Sequence, residues 1–211
     1  MTKPSEFYVG VLDLFAVLLP GAIATAILEP RFGYLLQEVL FARPYGEIAG
    51  WGFFLAVSYF LGHLVFLVGS YIDGVYNALR ERLNPYGNES AYQCATNIRD
   101  SLIDASERKA LNTFQWARAV LIAKCPDAAQ DVHRLEADSK FFRSLLVISA
   151  LAAIVFFADG AIGAGVVAVL LMAPCFARYY ERRLKSTTQA YLHIIALHRL
   201  DMLRPHDSRC E

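Results

Sequence analysis

The chain has 211 residues, of which 56% are hydrophobic and 19% charged, and its 20 basic and 20 acidic side chains cancel. An ordinary soluble domain is about 45–50% apolar, and a chain with no net charge sets up no global field to recruit nucleic acid or acidic lipid. The four cysteines, Cys94, Cys125, Cys175 and Cys210, lie far apart without a C-x-x-C pair, so neither a zinc site of the usual spacing nor a disulfide framework is indicated.

The first apolar run, Tyr8–Leu28, is interrupted only by Asp13. It is long enough to cross about 30 Å of hydrocarbon, which takes about 20 residues as a helix. A cleaved signal peptide ending at Ala26 is the alternative. Lys3 and Glu6 leave the leading residues without net positive charge, and an acidic residue in the apolar core is unusual, so span one is expected to be retained. At helical spacing Asp13, Val17 and Pro20 share a face with Ala24. Pro20 has no N–H for the carbonyl of Ala16, so that face carries a carboxylate and a freed acceptor. A carboxylate facing lipid costs about 2.5–3.5 kcal/mol on insertion scales, so the face is expected to look into protein or water.

The second run, Trp51–Ile72, has no formal charge and ends in interfacial aromatics, Trp51 and Tyr71. His63 lies within it, about 6 Å deeper than Asp13 at 1.5 Å per residue. Asp13, His63 and Arg143 are therefore expected to form an intramembrane polar network. Ser58 and Gly62, four apart, suit close helix packing.

Residues 73–143 read as helical. Asn84-Pro85-Tyr86-Gly87-Asn88 should break the helix leaving span two, and apolar stripes then recur at helical spacing. These are Ala91, Ala95, Ile98 and Leu102; Ala110, Phe114, Ala117 and Leu121; and Ala128, Val132, Leu135 and Phe142. Asp104 to Glu107 has capping-box spacing. "RLEADSK", Arg134 to Lys140, reads as a solvated, self-compensated helix face.

The third apolar block, residues 141–180, is too long for one span and is split by the turn dipeptide Asp159-Gly160. Helices over Phe141–Ala158 and Ala161–Phe176 are expected, both slightly short, with a re-entrant hairpin as the alternative. Gly160, Ala164 and Ala168 form a second row of small residues, and Pro20 and Pro174 are expected to kink their helices. Tyr180, Leu184, Thr187, Tyr191, Ile194 and His198 make the tail amphipathic.

Basic residues set the orientation. Residues 73–143 hold ten Lys/Arg and the tail after Phe176 holds seven, against Arg31 and Arg43 alone in the loop 29–50. Four spans with both termini cytoplasmic, in the inner (plasma) membrane, put every basic-rich segment inside. The expected fold is an all-α polytopic membrane protein. It comprises a first transmembrane hairpin (1–72), a cytoplasmic helical insert (73–143), a second hairpin (144–176) and a cytoplasmic C-terminal helix and tail (177–211).

No P-loop, dinucleotide-binding, HExxH or nucleophile-elbow motif is present. His193 and His198, five apart, turn off one face and are poor paired metal ligands. Trp116 beside Arg118 reads as core plus surface rather than a nucleic-acid contact. No catalytic residue, metal or cofactor is expected. "LLPGA", Leu18 to Ala22, in an N-terminal span, together with a compact cytosolic helical insert, resembles small multi-span bacterial membrane proteins, including those proposed as effectors in nucleotide-signalled phage defence. The resemblance implies a homo-oligomeric, channel-like or membrane-perturbing effector controlled through its cytoplasmic helices by a protein or signalling ligand. No nucleotide-sensing domain is recognisable. The alternatives are a non-conducting adaptor for a cytoplasmic partner and a small proton- or ion-coupled transporter using Asp13 and His63.

Overall fold

A computed structural model describes residues 16–31, 33, 47–83, 90–104, 108 and 110–200. All regular structure in them is helical: α1 over residues 16–31, α2 Glu47–Ser70, α3 Ile72–Leu83, α4 Ser90–Leu102, α5 Thr113–Lys124, α6 Pro126–Ala158 and α7 Ile162–Arg199. Among the described residues three stretches are long and apolar enough to cross a membrane: Gly50–Arg82, Pro126–Ala158 and Ile162–Arg199. Of the four expected spans, the first falls in a run described only from residue 16.

The chain divides into two compact units, one of residues 1–75 and 137–181, the other of residues 76–136 and 182–211. In the first unit α1 lies against α2 at very short range. A Cβ added at Gly21 would fall inside the Ser58 carbonyl, and one at Gly62 inside the Val17 carbonyl. The glycines are therefore what lets the backbones approach. Around the crossing Ser58, Pro20 and Ala24 are sealed from solvent, and Thr25 donates to the Gly21 carbonyl at 2.9 Å and lies 3.2 Å from the Ser58 hydroxyl. Such crossings hold through dispersion and short polar contacts, because lipid tails give no hydrophobic drive between helices. Helical structure continues through Pro20 and for 25 residues beyond Pro174, which sits exposed inside α7 and does not end it.

Between α6 and α7 the chain reverses at Gly160, where φ is +75°. Ala161 N–H donates to the Phe156 carbonyl at 2.9 Å and Gly160 N–H to that of Phe157 at 3.1 Å, closing the last turn as a Schellman motif. This corrects the small row expected at Gly160, Ala164 and Ala168. Gly160 serves the left-handed turn with no neighbour near its Cβ position, and Ala164 is exposed. The residues packed into the α6–α7 hairpin are Ala168 and Gly165, whose added Cβ would lie 2.6 Å from the Phe157 ring.

The second unit has an ordinary apolar core. Ala95 and Ile98 of α4, Trp116, Ala117 and Leu121 of α5, Ala128 and Val132 of α6, and Tyr191 and Ile194 of α7 are buried together. Each large apolar side chain sealed in this way contributes about 1.5–3 kcal/mol. The α5 start is fixed by a capping box absent from the sequence reading: Asn112 accepts from Gln115 N–H at 2.8 Å and Gln115 accepts from Asn112 N–H at 3.3 Å. The residues 105–107 of the expected box at Asp104 lie outside those described. Glu136 corrects the solvated-face reading of Arg134 to Lys140, because it is buried, 3.6 Å from both Arg118 of α5 and His133.

Gly21→Ala and Gly62→Ala should each lower stability in detergent by about 1–3 kcal/mol, the usual cost of overpacking. Gly163→Ala, with nothing within 4 Å of the new methyl, should be neutral or better. Denaturant titration followed by far-UV circular dichroism checks the contrast.

Candidate functional site

Among the described residues the first unit buries one full charge, and the site is built around it. Arg143 of α6 is 6% exposed and emerges beside Gly69 of α2, where an added Cβ would stand 3.2 Å from its Nε. A side chain at position 69 would press on the arginine stem, which would have to give by a few tenths of an ångström. The guanidinium lies 4.7 Å over the Phe66 ring, a cation–π contact. Its Nη1 donates to Asp73 Oδ2 at 2.6 Å, a short charge-assisted bond. The other carboxylate oxygen, Asp73 Oδ1, accepts from the hydroxyl of Tyr179 on α7, a residue 1% exposed.

Local structure presents Asp73. Helix α2 ends at Ser70, whose hydroxyl donates to the Leu67 carbonyl at 2.6 Å, and the chain makes a turn at Tyr71 before α3 starts. Asp73 falls in the first turn of α3, where a carboxylate also favours the helix dipole. One carboxylate thus ties together α3, α6 and α7, the three helices through which the chain leaves the unit, near residues 75, 137 and 181.

A second ion pair lies at the other end of the same helices. Arg31, at the end of α1, pairs with Asp159 in the α6–α7 turn and also donates to the Val155 carbonyl. The two pairs bracket the apolar length of α6, with acid and base matched at each end.

Of the expected network of Asp13, His63 and Arg143, Arg143 is paired with Asp73. Asp13 lies outside the described residues. His63 is exposed on α2, with the Tyr59 ring edge-on at 4.5 Å, and shares no contact with Arg143 among the described residues. Ser58 and Gly62 stand at the α1 crossing. Sequence reasoning missed Asp73 and Tyr179, although a depth argument could have found Asp73. Asp73 follows the last apolar residue of span two and Arg143 is the third residue of span three, so both sit at the same end of the membrane.

The cluster joins three helices through charge-assisted hydrogen bonds. Its guanidinium and the Tyr179 hydroxyl both donate to the Asp73 carboxylate, one to each oxygen. No group of three His, Cys, Asp or Glu suited to a metal occurs among the described residues. An apolar crevice of about 390 Å³ lined by Ile27, Ile148, Ala152, Phe156 and Val167 contains one polar side chain, Ser149, whose hydroxyl is occupied by the Leu145 carbonyl. In the second unit Arg80 is fully buried and donates to Tyr76 Oη at 3.1 Å and Thr187 Oγ1 at 3.2 Å, joining α3 to α7. Compared with protein-family models, curated proteins and solved structures, the chain shows no match.

Losing one partner of a buried pair costs about 3–5 kcal/mol because the other charge is left uncompensated. Asp73 is one-third exposed and can hydrate when alone, whereas Arg143 cannot. Asp73→Asn should therefore destabilise the full chain in detergent more than Arg143→Met, and Tyr179→Phe should cost about 1.5–3 kcal/mol, as for a hydrogen bond to a charged group. Denaturant midpoints check the order; equal losses for Asp73→Asn and Arg143→Met would contradict it.

Proposed function

We propose that this chain is an integral membrane protein of four spans, counting the first apolar run, with its termini and residues 73–143 on the cytoplasmic side of the inner membrane. In this reading it acts without catalysis, as an oligomeric, channel-like or membrane-perturbing effector controlled through its cytoplasmic helices. The observation that carries the reading is helix continuity. Helix α6 passes unbroken from the second unit into the first at residues 136–137, and α7 from the first into the second at residues 181–182. A packed α-helix is a stiff element, and coupling between distant sites travels through such elements. A protein or small signalling ligand that shifts α6 and α7 within their helical core therefore acts on the same two helices where they are apolar. The basic-residue distribution supports the orientation, and the ion pairs at both ends of α6 support a fixed depth in the bilayer.

The adaptor reading needs only the cytoplasmic surface and no movement of the spans. Ion flux separates the two. Purified full-length protein in phosphatidylcholine–phosphatidylglycerol vesicles should pass monovalent ions faster than empty vesicles, and Asp73→Asn should change that rate by several-fold. Vesicles as tight as protein-free controls, with the protein floated in them, would leave the adaptor reading in its place.

A further inference from the structure

Helix α2 has three chemically distinct faces. Ser58, Gly62, Val65 and Gly69, at spacings of four, three and four, are buried against α1 and Arg143. On the remaining surface Phe60, Leu64, Val68 and Tyr71 form a bulky stripe, 64%, 42%, 51% and 77% exposed, that suits acyl chains. About 100° away around the helix, at 3.6 residues per turn, runs an exposed stripe of another kind: Gly52, Ala56, Tyr59, His63 and Ser70.

His63 is the anomaly. It lies about 18 Å along the helix from Trp51 and about 12 Å from Tyr71, at 1.5 Å per residue, and so well within a hydrocarbon layer bounded by those aromatics. The edge of the Tyr59 ring packs against it at 4.5 Å, and it makes no hydrogen bond among the described residues. Intramembrane histidines are costly and almost always face protein or a water-filled cavity. Among the described residues of one protomer this one is left exposed.

We propose that this stripe is a self-association face, and that in the membrane it pairs with the same stripe of a second copy of the chain; this rests on the membrane reading above. The neutral imidazole carries one donor and one acceptor and is therefore self-complementary, as a twofold contact requires. Gly52 and Ala56 leave room for a partner backbone, with nothing within 4 Å of a Cβ added at Gly52. The positions 52, 56, 59, 63 and 70 keep the 3.5-residue period of a left-handed helix pair. The buried face at 58, 62, 65 and 69 has the same spacing and already carries the α1 crossing.

Cross-linking tests this in the full-length chain with its four cysteines changed to alanine, reconstituted in phosphatidylcholine vesicles. Under copper–phenanthroline the Ala56→Cys variant should form covalent dimers at least ten-fold faster than Leu64→Cys, on the bulky stripe. His63→Leu added to Ala56→Cys should slow the reaction several-fold, and His63→Gln, which keeps a donor and an acceptor, should restore it. Equal rates for Ala56→Cys and Leu64→Cys, or no dimer from Ala56→Cys, would overturn the inference, as would a His63→Leu effect that His63→Gln shares. Flotation of the same vesicles is read in parallel: floated protein without dimers refutes the face alone, and protein that does not float refutes the membrane reading itself.

Discussion

A guanidinium beside apolar helices cannot be left unpaired, and the layout of the first unit follows from satisfying Arg143. The stem needs a gap, which Gly69 supplies. The cation needs a carboxylate, which the turn at Tyr71 brings round by ending α2 and starting α3 one residue before Asp73. The second carboxylate oxygen needs a donor, which Tyr179 brings from α7. Three helices are fixed to one another by groups that would each be costly alone.

The same economy governs α2. Its buried face is built from residues small enough for backbone-to-backbone contact, Ser58 and Gly62 against Val17 and Gly21, and the glycine that admits Arg143 continues that row. Close packing and ion pairing thus occupy one side of one helix. Arg31 and Asp159 close the opposite end of the bundle, so the apolar length of α6 lies between two charged clamps. In the second unit stability has a different source, since Trp116, Leu121, Tyr191 and Ile194 make an ordinary core in which burial from water supplies the drive.

Elements whose signal is local were legible in the sequence. The apolar lengths of Trp51–Ile72 and of residues 141–180, the reversal at Asp159-Gly160 and the stripes through Ala95, Ala117 and Val132 all depend on residues near one another, and helices with those buried faces are present. Pairings across the chain were less legible. Asp73 and Arg143 are 70 residues apart, and periodicity along either helix gives no reason to pair them; their place at the same end of the apolar spans does. Gly160 and Gly165 look alike as small residues, and only a positive φ at one and an aromatic ring against the other separate turn from packing. Glu136 reads as solvated because its neighbours in sequence are charged, while its burial comes from α5.

The central claim is that Asp73 and Arg143 act as one unit on which the helix arrangement depends. A double-mutant cycle measures this directly, with Asp73→Asn, Arg143→Met and the double variant unfolded in the same detergent. Because the isolated carboxylate hydrates and the isolated guanidinium does not, the double variant should recover much of the loss caused by Asp73→Asn, giving a coupling energy of about 1–3 kcal/mol, within the range for residues in one network. Losses that add to within about 0.5 kcal/mol, as they do for independent sites, would contradict the account.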